Sequence, residues 1–188
     1  ERIEDLLVKH FSVNPEKKEI NEFGLVRKLT EIMPETHGFF IGNSLPVRAV
    51  DMVGSGKGAD IPTALNRGAS GIDGLIASAC GYSSGLQRPV TLLIGDLSAL
   101  HDLNSFKLLS DSPEPVLLVL LNNHGGGIFS FLPIIRQTDI FEPFFGTPHS
   151  YDFSSVSEMF NLGYFSPDSI SAFESDYTKA VRENKSAV

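Results

Sequence analysis

The sequence predicts an α/β fold: a doubly wound, mainly parallel sheet with helices on both faces. Two observations carry this. Residues 89–95 (PVTLLIG) and 115–122 (PVLLVLLN) are continuous apolar runs. Strands without in/out alternation are those covered on both faces, as in a parallel sheet. Between them lies a helix-forming stretch, 96–111, so strand, helix and strand follow in order. The unit 89–122 has the roughly 30 residues of one parallel crossover.

The remaining elements follow from local pattern. Residues 1–11 read as a short amphipathic helix, broken by the polar stretch 12–18 (SVNPEKK). Ile20, Phe23, Leu29 and Ile32 recur at helical spacing, and Pro34 ends the pattern. Residues 37–42 (HGFFIG) read as a strand. Residues 43–53 read as a helix with Asn43 or Ser44 as cap and Pro46 in its first turn. Residues 54–60 form a loop, 61–65 (IPTAL) a strand, and 66–74 (NRGASGIDG) a glycine-rich turn entering a helix that runs to about residue 84. Beyond Pro133, residues 138–153 are aromatic and turn-rich, 154–162 and 168–184 read as helices, and a further strand is expected to begin at 185–188 (KSAV).

Composition bounds the function. The 188 residues suffice for one sizeable core. The formal net charge of −8 argues against a nucleic-acid or anionic-membrane surface, which wants basic patches. The apolar runs are strand-length, so no stable membrane insertion is expected. The single cysteine, Cys80, reads as a small core residue in a reducing compartment. A cytoplasmic location follows, with an organelle the alternative. The chain opens without Met, and a piece of a longer protein is expected.

In open parallel sheets, ligands sit beyond the carboxyl ends of the strands. Two strand ends here carry special residues: Gly95-Asp96-Leu97-Ser98, and Asn122-Asn123 followed by His124-Gly125-Gly126-Gly127. Asp96 and Asn123 are one crossover apart, so adjacent strands bring both to one crevice. A carboxylate, a carboxamide oxygen and a backbone carbonyl are hard oxygen ligands, suited to a Mg²⁺ that also holds phosphate oxygens. A helix starting near Ser98 would aim N–H groups at an anion. Together these predict a magnesium diphosphate cradle. Taken singly, a Gly-Asp after a strand is a common helix cap and Asn-Asn-Gly a common turn; the pair at two strand ends favours the site.

Gly95-Asp96 followed by Asn122-Asn123 resembles the cofactor motif of thiamine diphosphate (ThDP) enzymes. Four segments narrow the match: FIGNSLPVR (40–48), NRGASGIDG (66–74), GDLSALHDLN (95–104) and NNHGGGIFSFLP (122–133). Together they resemble the SEPHCHC synthase family of menaquinone biosynthesis, over about residues 39–133. The resemblance implies that N-terminal helices (1–36) lead into a diphosphate-binding domain, 37–188, cut short at its C-terminus. It implies ThDP with Mg²⁺, or Mn²⁺ in its place, held by Asp96, Asn123 and the Gly125 carbonyl. Leu97 and Ser98 would meet the diphosphate, and Ile72 would prop the bent cofactor. Ser44, Arg48 and Arg67 would hold substrate carboxylates. Ile128, Phe129 and Leu132 would wall the reacting centre, core packing being their plainer role. The implied reaction decarboxylates 2-oxoglutarate and joins the remaining unit to isochorismate. The activating glutamate belongs to a pyrimidine-binding domain of a neighbouring subunit, which with a middle domain is expected outside this chain. A homodimer or homotetramer is implied, and the chain alone would be inactive. His124 reads as an exposed loop histidine.

Two other readings stay open: another ThDP-dependent 2-oxoacid decarboxylase or acetolactate-synthase-like enzyme, and, from a different class, a non-catalytic module that keeps the fold. GSGKG (54–58) is not a P-loop, because Asp51 and Gly58 stand where Gly and Ser or Thr are required. GSGKGA also follows a helix rather than a strand, which removes the dinucleotide reading. The five histidines and one cysteine show no zinc spacing.

Overall fold

Four parallel strands form the sheet in this computed structural model, which describes residues 20–188. The helix expected over 1–11 and the break over 12–18 lie outside the described residues. The strands are β1 (Gly38–Ile41), β2 (Thr63–Ala64), β3 (Val90–Gly95) and β4 (Val116–Leu121), in the order β2-β1-β3-β4. Leu92 of β3 lies opposite Phe40 on one side and Leu118 on the other. The chain leaves β1 toward one edge and returns past it to build the other. The strand order therefore reverses between β1 and β3, and the crevice outside their carboxyl ends is where such sheets bind ligands.

The helices are α1 (Glu22–Ile32), α2 (Leu45–Val53), α3 (Leu75–Leu86), α4 (Asp96–Leu100), α5 (Phe106–Asp111), α6 (Thr138–Phe141), α7 (Ser154–Met159) and α8 (Ile170–Glu183). Side chains on successive strand residues point to opposite faces, and both faces are apolar. Phe39, Ile41, Leu93 and Val119 meet Leu29 of α1, Val53 of α2 and Phe173 of α8. Phe40, Leu92, Ile94 and Leu118 meet Ile76 of α3, Phe106 of α5 and Val156 of α7. Helices thus cover both faces, as the continuous apolar strands require. α1 belongs to the same core as the sheet. Each fully buried large side chain, such as Leu92 or Phe106, contributes roughly 1.5–3 kcal/mol against its exposed state.

The structure refines several expectations. The stretch 96–111 is not one turn and helix but three pieces, α4, a 3-10 turn at Leu103–Ser105, and α5. The break has a cause at Asp102. α3 starts after Gly74, which has a left-handed φ of 68° and no side chain to cap with. Asp102 supplies the cap from a distance: its Oδ2 accepts the Ile76 N–H at 2.8 Å, and its Oδ1 the Ser105 hydroxyl at 2.6 Å. The helix expected near Ser98 begins two residues earlier, at Asp96, and is one turn long. The strand expected over 61–65 shrinks to Thr63–Ala64. The GSGKG loop holds a 3-10 turn at Gly56–Gly58 on the surface. Strand pairing does begin in the last residues: Ala187 pairs in parallel with both Leu117 and Gly163.

Cys80 is buried, and burial together with the Asp102 charge pushes its thiol up to about 11, as a packing residue should be. A buried polar chain threads one face of the sheet. His37 Nδ1 lies 3.1 Å from Thr91 Oγ1, which lies 2.7 Å from the Tyr177 hydroxyl. Burial lowers His37 to about 4 and raises Tyr177. Among the described residues, no helix is long and apolar enough to cross a membrane.

Candidate functional site

Asp96 stands at the carboxyl end of β3, buried, as the first residue of α4. Both oxygens of its carboxylate are engaged. Oδ1 accepts the Leu97 N–H at 2.7 Å. Oδ2 accepts the Gly125 N–H at 2.9 Å and lies 3.1 Å from His149 Nε2. The His149 tautomer follows from its other nitrogen, Nδ1, which accepts the Tyr151 N–H at 3.2 Å. Nε2 therefore carries the proton and donates it to Asp96.

The loop after β4 wraps around this carboxylate. Gly125 adopts a φ of 153°, and a Cβ there or at Gly126 would collide with the carbonyl oxygens of Gly146 and Phe145 respectively. The Gly126 N–H donates to Gly146 O at 2.7 Å, and the His149 N–H to His124 O at 3.2 Å. The glycines thus let two backbone segments close on each other beside Asp96. Asn123 is exposed and its Nδ2 donates to Glu22 Oε1 at 2.7 Å, which leaves Oδ1 as the carboxamide's outward acceptor. Burial raises the Glu22 carboxyl, the Asn123 hydrogen bond opposes this, and the Asp96 charge adds to it. Asn123 thus sits beside a carboxylate that feels the Asp96 charge through space. His124 is exposed, as expected, with its ring 5.7 Å from that of His149.

A second cluster forms at the carboxyl end of β1. Ser44 caps α2 with a φ of 73° and ψ of −132°, and its side chain makes no capping bond. This is a sparsely populated conformation for a non-glycine residue, of the kind held at ligand sites. Its carbonyl accepts Arg48 Nη1 at 2.7 Å. Arg67 Nη1 donates to Asn43 Oδ1 at 3.0 Å, and Asn43 Nδ2 to Gly71 O at 2.6 Å. Buried Asn43 thereby ties Arg67 to the loop that carries half-buried Ile72. Arg48 and Arg67 are exposed, and neither has an acidic partner among the described residues. Gly127 joins the two clusters: a Cβ there would meet Asn123 Nδ2 at 2.7 Å and Leu45 at 3.5 Å.

Ile128 and Phe129 lie in a 3-10 turn, Gly127–Phe131, with the Phe129 ring 5.6 Å from Phe145. Leu132 follows and is exposed. A cleft of about 600 Å³ runs along β4 and reaches Glu22 and Asn123 at one end. Asp96 lies outside that cleft. The donor set would fit a hard cation such as Mg²⁺: a carboxylate, a carboxamide oxygen and the Gly125 carbonyl are hard oxygens. That carbonyl accepts the Gly127 N–H at 3.0 Å, and among the described residues its second lone pair is free. Among the described residues no three His, Cys, Asp or Glu side chains converge as a metal cage, so ligand oxygens would complete the coordination.

Glu22 and His149 were not singled out in the sequence. His149 follows Gly146-Thr147-Pro148, and Glu22 opens a helix known only by its apolar spacing. No local signal in the sequence ties either to Asp96 or Asn123.

The comparisons bear on this geometry. The chain is 49% identical over 162 residues to a 2-succinyl-5-enolpyruvyl-6-hydroxy-3-cyclohexene-1-carboxylate (SEPHCHC) synthase of Prosthecochloris aestuarii, covering 86% of this chain and 28% of that protein. It is 48% identical over 168 residues to the SEPHCHC synthase of Rubrobacter xylanophilus, covering 89% of this chain and 29% of that protein. The chain matches the C-terminal part of SEPHCHC synthases. It spans less than a third of the length of these curated relatives. No family model matches it. Among solved structures, a Mycobacterium smegmatis protein assigned to the thiamin diphosphate-dependent enzymes superposes with a TM-score of 0.70 at 16% identity, covering 90% of this chain and 31% of that one. That likeness establishes the α/β fold.

Proposed function

We propose that this chain is the diphosphate- and metal-binding part of a SEPHCHC synthase, which decarboxylates 2-oxoglutarate and adds the remaining unit to isochorismate. The observation that carries the reading is Asp96, fixed at the strand-order reversal by Gly125 N–H and His149, in a chain nearly half identical to named SEPHCHC synthases. Residues 37–188 would form the cofactor domain, with 1–36 leading into it.

Asp96, Asn123 and the Gly125 carbonyl would hold Mg²⁺ or Mn²⁺, and Leu97 and Ser98 the diphosphate of ThDP. When bound, ThDP supplies the carbanion equivalent that makes a 2-oxo acid lose CO₂. Ile72 would support the bent cofactor from the loop that Asn43 anchors. Ser44, Arg48 and Arg67 would grip substrate carboxylates. Guanidinium forks suit this task because each can give two parallel donors to one carboxylate, and neither arginine is neutralised by a described acid. Ile128, Phe129 and Leu132 would exclude water above the reacting centre. The activating glutamate would come from the pyrimidine-binding domain of a neighbouring subunit in a homodimer or homotetramer of the cytoplasm.

The test is turnover by the full-length protein with ThDP, Mg²⁺ and isochorismate, offering 2-oxoglutarate or pyruvate. CO₂ release and adduct formation with 2-oxoglutarate alone support the proposal. Turnover of pyruvate instead would keep the cofactor site and discard the substrate assignment. Arg67→Ala should raise KM for 2-oxoglutarate by on the order of 10–100-fold, the loss of a charge-assisted pair. Unchanged KM would remove Arg67 from the substrate site.

A further inference from the structure

Asp96 and Asn123 are each held from behind by a side chain that has so far been given no role. His149 and the Gly125 N–H together occupy Asp96 Oδ2. A carboxylate oxygen has two lone-pair directions, so Oδ2 is spent. Among the described residues Oδ1 accepts only the N–H of the next residue and keeps one direction free. Glu22 acts alike on Asn123. A carboxylate can only accept here, so it takes the Nδ2 end of the carboxamide and turns Oδ1 the other way. His149 is itself fixed. Its Nδ1 is bound to the Tyr151 N–H, its ring stacks on Tyr151 at 5.4 Å, and its side chain is buried.

We propose that His149 and Glu22 are positioning residues for the cation, holding Asp96 and Asn123 so that one oxygen of each is presented to the metal. The idea rests on the metal-site reading above. Neither residue touches the metal. Each removes the competing orientation of a ligand: rotation of the Asp96 carboxylate, and the flip of the Asn123 carboxamide that would aim N–H groups at a cation. Outer partners of this kind are worth roughly 10–100-fold in metal affinity.

The experiment is Mn²⁺ binding to the full-length protein at saturating ThDP, without 2-oxo acid, with free Mn²⁺ counted by electron paramagnetic resonance. His149→Ala and Glu22→Ala should each weaken Mn²⁺ binding by about 10–100-fold. His149→Gln still offers an N–H to Asp96, and Glu22→Gln still offers a carbonyl to Asn123. Both should recover most of the loss, which a merely structural role would not produce. Circular dichroism melts without metal check that each variant is folded, and the two Gln variants decide the matter where an Ala variant is not. Wild-type affinity in both Ala variants, or Gln variants as weak as the Ala ones, would overturn the proposal. Asp96→Ala separates the two levels. If it keeps Mn²⁺, the metal-site reading fails and the positioning role with it. If it loses Mn²⁺ while the Ala variants of His149 and Glu22 do not, only the positioning role fails.

Discussion

Asp96→Asn is the sharpest test of the hydrogen-bond accounting, because it changes one atom and no shape. The wild-type carboxylate accepts three donors: Leu97 N–H at 2.7 Å, Gly125 N–H at 2.9 Å and His149 Nε2–H at 3.1 Å. An asparagine has one acceptor oxygen. Placed toward Gly125 and His149, it keeps two bonds and sets its NH₂ against the Leu97 N–H and the metal position. Flipped, it sets NH₂ against two donors, and His149 cannot switch tautomer without losing Tyr151. The first orientation is cheaper and leaves one donor unmet, at about 1–3 kcal/mol. The protein without cofactor should lose about that much stability. The loaded protein should lose more, since an NH₂ group is no ligand. Wild type at 100 times Kd gains about 2.7 kcal/mol from its ligand, and the variant should gain almost none. Denaturation of the full-length protein with and without Mg²⁺ and ThDP reads both numbers. Equal stabilisation of variant and wild type by the loaded cofactor would refute the ligand role. Equal stability without cofactor would refute the donor count.

Three further outcomes are expected. Asp102→Ala strips the remote cap from α3 and leaves the Ile76 N–H without its partner, so stability should fall by about 1–2 kcal/mol, with faster amide exchange in the first turn of α3. His37 has a folded pKa of about 4 against an ordinary 6.5, so the folded state binds fewer protons between those values. Its contribution is complete above pH 6.5 and is lost as pH falls toward 4; a denaturation series in that window should show the slope, and His37→Gln should flatten it. Gly126→Ala forces a Cβ into the Phe145 carbonyl, so the loop must shift at a cost of about 1–3 kcal/mol. Mn²⁺ titration at saturating ThDP should show weaker binding in that variant.

What was legible in the sequence is what is coded locally. β3 and β4 are legible because burial on both faces removes every polar residue but Thr91, which the buried hydroxyl of Tyr177 satisfies. Asp96 and Asn123 are legible because each ends such a run, and a polar residue there has to face the crevice. The rest depends on partners far along the chain. His149 meets Asp96 across 53 positions and Glu22 meets Asn123 across 101. No periodicity links such residues; only the closing of Gly125 and Gly126 on residues 145–146 brings His149 into reach. The division of 96–111 was hidden for the same reason. Asp102 looks like an ordinary helix residue until α3 is known to start on a glycine that cannot cap it.

The apolar side chains that follow the glycine loop bear on the proposed site. Ligand sites bury most of a bound small molecule, and the polar cluster at Asp96 meets that demand on one side only. Phe131 and Phe144 are each 73% exposed, and Leu132 and Ile135, close to Phe131 in sequence, are exposed too. Phe129, by contrast, is held against Phe145. The segment that follows the glycine loop therefore has one aromatic side chain packed inward and others turned to water. A group of exposed large apolar side chains marks a surface made to be covered. In the proposed enzyme the pyrimidine-binding domain of a neighbouring subunit would cover it. The covering body would complete the reaction chamber, and the Asp96 cradle behind it would anchor the charged end of the cofactor.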